Sequence, residues 1–115
     1  MSCPPRYSMP VGNVLVATVT WQNTGTQSYA FDIAVLVGRG TNPTDFQIAT
    51  GNIVQNVSSN PNDIKTTQVQ VGPLGSSFVG TWDIMVLIGD YDSSTGNFDL
   101  SRGDWLVCTS VLVVG

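Results

Sequence analysis

The sequence predicts an all-β protein, an immunoglobulin-like two-sheet antiparallel β-sandwich of about seven strands. Three observations predict it: apolar residues recur at every second position in several segments, the composition favours pleated structure, and Gly, Asn and Pro clusters punctuate those segments. The acidic residues are eight Asp and no Glu, Ala occurs four times and Val sixteen times. Glu and Ala are good helix formers, whereas Val, Ile and Thr lose side-chain freedom in a helix and pack well on a sheet. A chain of 115 residues suits one core, so residues 1–115 are read as a single domain.

The elements follow in order. Residues 13–21 alternate, with Leu15, Ala17, Val19 and Trp21 on one face and Val14, Val16, Thr18 and Thr20 on the other. Asn23 and Gly25 supply a turn, because both tolerate positive φ. In residues 29–38, Tyr29, Phe31, Ile33, Val35 and Val37 share a parity and predict the strongest strand. Residues 38–45 read as a loop, residues 46–49 and 53–57 as short edge strands around a turn at 50–52, and residues 58–63 as another loop. Residues 64–71 alternate through Thr67, Val69 and Val71 until Gly72, Pro73 and Gly75 break the pattern. In residues 81–90, Trp82, Ile84, Val86 and Ile88 oppose Asp83, Met85, Leu87 and Gly89. A polar loop over 90–99 then leads into a return strand over 105–114.

Composition also excludes functions. Charged residues are 10% of the chain, the cations are Arg6, Arg39, Lys65 and Arg102, and the net charge is −4. Phosphate counterions cannot be displaced without a basic cluster, so no nucleic-acid partner is expected. No stretch approaches the roughly eighteen apolar residues of a membrane-spanning helix, so no membrane span is expected. The first residues lack the apolar core of a signal peptide. The expected alternatives are a chain intracellular at birth, a trimmed piece of a longer chain, or export by another route. Histidine is absent. That removes the usual general base of Ser or Cys hydrolysis and leaves too few ligands for a closed zinc site. No cofactor and no catalytic residue are expected.

Cys3 and Cys108 lie near the two ends. In sandwiches of this kind the first strand often runs parallel beside the last, which would bring these cysteines together; a bridge closing so long a loop would stabilise by about 4 to 5 kcal/mol on a chain-entropy model. Two unpaired thiols, with Cys108 simply buried, are the other reading.

Two segments resemble the CARDB domains, cell-adhesion-related immunoglobulin-like modules of bacteria and archaea. The first is Val11-Gly12-Asn13 through Trp21-Gln22-Asn23-Thr24-Gly25-Thr26, similar to that family's glycine, alternating strand and Asn-x-Gly turn. The second, residues 80–90 from Gly80-Thr81-Trp82 to Gly89-Asp90, is similar to its aromatic-led late strand ending in Asp. The resemblance implies an extracellular or cell-surface-displayed binding module with no catalytic residues. Family members tend to be repeats in long exported chains, and a lone copy fits a virion decoration protein or an extracellular fibre subunit better.

Other motifs have ordinary readings. Asp32 and Asp83 have outward parity and the remaining Asp residues lie in or beside loops, so all are expected to be solvated. Asp90, Asp92 and Ser94 resemble the start of a calcium loop, but the glycine comes late and Ser101 stands where a bidentate Glu is needed, so even weak calcium binding is not expected. Arg102-Gly103-Asp104 matches an integrin-binding tripeptide and is read as turn chemistry, and Asn56-Val57-Ser58 is a glycosylation sequon. Trp21, Trp82 and Trp105 raise carbohydrate as an alternative partner, with core packing the better account of the first two.

The informative feature is apolar residues on faces that should be wet. Val14, Val16, Ala34, Leu36, Met85 and Leu87 oppose the core parity of their strands, and the last strand is apolar on both faces, with Trp105, Val107, Val111 and Val113 on one and Leu106, Cys108, Leu112 and Val114 on the other. Such surface predicts a protein partner, copies of this chain or another surface or capsid protein, with cover by the chain's own loops as the competing explanation.

Overall fold

The computed structural model describes the chain apart from residues 1, 2, 4, 41–45 and 47–49. Seven strands are described: β1 Tyr7–Met9, β2 Leu15–Gln22, β3 Tyr29–Gly38, β4 Thr50–Ser59, β5 Ile64–Val71, β6 Gly80–Asp92 and β7 Asn97–Val114. Five form one sheet in the order β1-β7-β6-β3-β4, and β2 with β5 forms the second. All neighbours are antiparallel except β1 and β7, which run parallel. The predicted sandwich is therefore the fold, with the first strand beside the last.

The period-two pattern explains how the layers meet. Leu15, Val19 and Trp21 of β2 point inward with Thr67, Val69 and Val71 of β5, while Val16, Thr18, Thr20 and Gln22 point out. Against them pack Phe31, Ile33, Val35 and Val37 of β3, Ile84, Val86 and Ile88 of β6, and Leu112 and Val114 of β7. Trp21 is placed by its indole N–H, which donates to Thr67 Oγ1 at 3.0 Å. Trp82 is half-buried, donates to the Phe78 carbonyl and lies under the Arg39 guanidinium.

The five-stranded sheet is covered on its other face as well. Ala34, Met85 and Leu87 form a second buried cluster with Phe46 from the β3–β4 connection, and Leu36, Ile53, Phe98, Leu100 and Val107 pack around it. This corrects the expectation that Met85 and Leu87 face a partner: Met85 is 0% and Leu87 6% exposed within one chain. Leu112 and Val114 are also removed from the contact surface, since both lie in the core between the sheets.

Element bounds differ from expectation where strands bend. Residues 50–52 join β4 as strand, and Phe46 has 3-10 instead of strand conformation; the rest of that predicted strand, 47–49, lies outside the described residues, as do 41–45 of the loop before it. The β6–β7 hairpin is tighter than the predicted polar loop. Its turn closes by a hydrogen bond from Gly96 N to Asp92 O, with Gly96 at φ +73°, and β7 resumes at Asn97. Two register shifts then put extra residues into β7. At the first, β7 presses so closely on β6 that a Cβ on Gly103 would stand 1.6 Å from the Ile88 carbonyl oxygen. Gly103 of the tripeptide thus sits inside a strand where only hydrogen fits, not in a turn.

Candidate functional site

The parallel register pairs Tyr7 with Leu112, and Cys3 and Cys108 lie equally far upstream of that pair. The two cysteines are joined in a disulfide with a Cα–Cα distance of 5.6 Å. The bridge ties the segment before β1 to the middle of the longest strand and leaves no free cysteine among the described residues.

Among the described residues Asp32 departs from the expectation of solvated carboxylates, and Asp63, Asp83 and Asp90 are half-buried. Asp32 is buried, with one oxygen accepting from Asn56 N at 2.9 Å and the other from Tyr91 N at 2.7 Å. Both amides are spare because the backbone leaves the ladder there: β4 shifts register opposite β3 with Asn56 at φ +59°, and the β3–β6 pairing stops at Gly89. Asp83 is half-buried and accepts from Gly40 N and Ser110 N, the latter in the second irregularity of β7. These two side chains hold bends together.

Asp90 and Asp92 do not converge on a common point. Asp90 accepts the Tyr29 hydroxyl, whereas Asp92 accepts from the amide and hydroxyl of Ser94 in the hairpin turn. Those Ser94 bonds hold the Asp92 carboxyl below its ordinary range, and the Ser101 amide does the same for Asp99. The bond to Asp90, then lost hydration, raises the Tyr29 phenol above its ordinary value. The neutral phenol is the form the fold favours, so its contribution is present below the unfolded pKa of about 10 and is lost as pH climbs through the folded value. Ultraviolet titration is expected to show a late-ionising phenol that disappears in Tyr29→Phe; identical curves for the two proteins would contradict the pairing.

The feature most suited to a partner is β2. It pairs with β5 on one side only, and among the described residues no strand lies along its other edge. β5 is better protected, since Asn52 Nδ2 donates to its Gln70 carbonyl at 2.7 Å from β4. Along β2 the sequence is Leu-Val-Ala-Thr-Val-Thr-Trp-Gln, with no charge and no proline, the usual devices that stop an edge from pairing. The outer face beside this edge is a plain of Thr18, Thr20, Thr66, Gln68 and Gln70, with Val14, Val16 and Ile64 exposed at its ends.

Of the residues expected to mark a contact surface, the structure therefore leaves Val14 and Val16 exposed beside the β2 edge, half-buries Leu36 and Leu106 elsewhere, and buries the others. Sequence patterning pointed to side chains on sheet faces and missed the edge, although the absence of charge in β2 was the signal for it. Trp105 is 39% exposed on the far face of the other sheet, opposite Leu87. No helix is long and apolar enough to cross a membrane among the described residues. Comparison with protein-family models, characterised proteins and solved structures finds no match to this chain.

Proposed function

We propose that the chain is a non-catalytic structural or adhesive module that joins copies of itself through the free edge of β2, as a repeating unit at a virion or extracellular surface. The observation that carries this reading is the eight-residue, uncharged, unpaired edge. An incoming antiparallel strand would satisfy its free amides and carbonyls and extend the two-stranded sheet into a four-stranded one. The disulfide fits an oxidising compartment, and the absence of histidine fits a protein without acid–base chemistry. The resemblance to CARDB modules points the same way. One strand edge is a small contact, so association is concentration-dependent and gains strength from repetition in an assembly.

Multi-angle light scattering over a concentration series tests this. The native chain is expected to gain mass with concentration. Thr18→Lys, at an exposed mid-strand position, brings two like charges face to face in an antiparallel pair and is expected to weaken association by about tenfold or more while leaving the fold intact. A native protein that stays monomeric throughout, or a variant that associates as well as the native chain, would remove the proposal.

A further inference from the structure

A second candidate site lies at the end of the sandwich where the β2–β3 connection faces the bulged part of β7. We infer that this cleft binds a neutral oligosaccharide. Its volume is about 610 Å³, within the roughly 300–1,000 Å³ of small-molecule sites. The apolar floor rests on the core: half-buried Tyr29 meets Phe31 at 4.7 Å, Trp21 meets Phe31 edge-on at 5.5 Å beneath it, and Ile88 lines the same cleft.

Both walls are held in place before any ligand arrives. On one side Asn23 is buried and its side chain holds the loop, donating to Gln27 O within the loop and to Ser59 Oγ at the end of β4 and accepting from Gly25 N. On the other, Gly103 is pinned against β6 by the close approach to Ile88. A preformed cleft avoids the cost of ordering loops on binding.

Chemistry selects the ligand. The Arg102 guanidinium stands 5.2 Å over the Tyr29 ring and enters no ion pair among the described residues. Asp104 gives one oxygen to Trp105 N, leaving the other to accept. Gln27 and Thr26 add an exposed amide and hydroxyl. Arg102 and Asp104 cancel in charge, and Asp90 and Asp99 lie close by, so an anion gains little here. An apolar ligand would strip water from these groups without replacing its hydrogen bonds. Sugar hydroxyls donate and accept at once, and the C–H face of a pyranose suits the apolar floor.

The 115-residue chain should be titrated calorimetrically, and by saturation-transfer NMR, with cellotriose, maltotriose, mannotriose and triacetylchitotriose, and separately with sialyllactose and trigalacturonate. At least one neutral probe is expected to bind saturably. Arg102→Ala and Gln27→Ala, both at exposed positions, are each expected to weaken it by about tenfold. Trp105→Ala, on the far face, should leave it unchanged. The inference is overturned if no neutral probe saturates, if only the acidic sugars bind, or if both cleft variants, shown folded by thermal melting, bind like the native protein.

Discussion

Replacing both Cys3 and Cys108 by serine is expected to lower the unfolding free energy by about 4 kcal/mol. The bridge spans 105 positions, nearly the whole chain, so the unfolded state it restricts is large. The native state depends on it locally too. β1 is only three residues long and pairs with one strand, so without the bridge its ladder must hold the chain start unaided. Urea unfolding of the native and double-serine proteins measures the difference directly. The midpoint should fall and the denaturant slope should rise, because the uncrosslinked chain exposes more surface when unfolded. Equal midpoints with and without the bridge would show that β1 and its contacts are sufficient alone.

Asp32→Ala is the second large effect, expected at about 3 kcal/mol. The substitution leaves Asn56 N and Tyr91 N, both part-buried, without their acceptor. Each orphaned donor costs about 1–3 kcal/mol, and both bends lose their anchor together. Asp32→Asn offers one acceptor oxygen but turns an NH₂ toward the other amide, so it should recover part of the loss at most. By contrast Asp104→Ala, at an exposed position, should fall within about 0.5 kcal/mol of the native protein. Thermal or urea melts of the three variants give the order. An Asp32→Ala protein as stable as Asp104→Ala would mean that water replaces the carboxylate at both bends.

The strands that could be read most accurately are those with clean alternation between turn residues. β3 and β5 have the bounds their patterns predict, because Asn and Gly residues flank an uninterrupted period of two. β4 was split, since Thr50-Gly51-Asn52 has turn composition; its strand state comes from pairing with Val37, Leu36 and Val35, which no local signal contains. The apolar outer positions of β3 and β6 were also visible in the sequence. A two-sided apolar strand demands cover, but the pattern is the same whether the cover is a partner or the chain's own Phe46, Phe98 and Leu100. Asp32 was hidden for a similar reason. Its parity is outward, and the amides that make burial favourable come from positions far along the chain. The disulfide was legible as one of two alternatives, because the parallel pairing of first and last strands decides it.

The claim on which the functional reading depends is that the outward edge of β2 is where this protein meets its own copies. Hydrogen exchange measured amide by amide across a concentration series tests it most directly. The reading predicts that the edge-facing amides of β2 exchange quickly in dilute solution and become protected as concentration rises, while those bonded to β5 stay protected throughout. Edge amides that remain fast at every concentration, with new protection appearing on some other element, would contradict it.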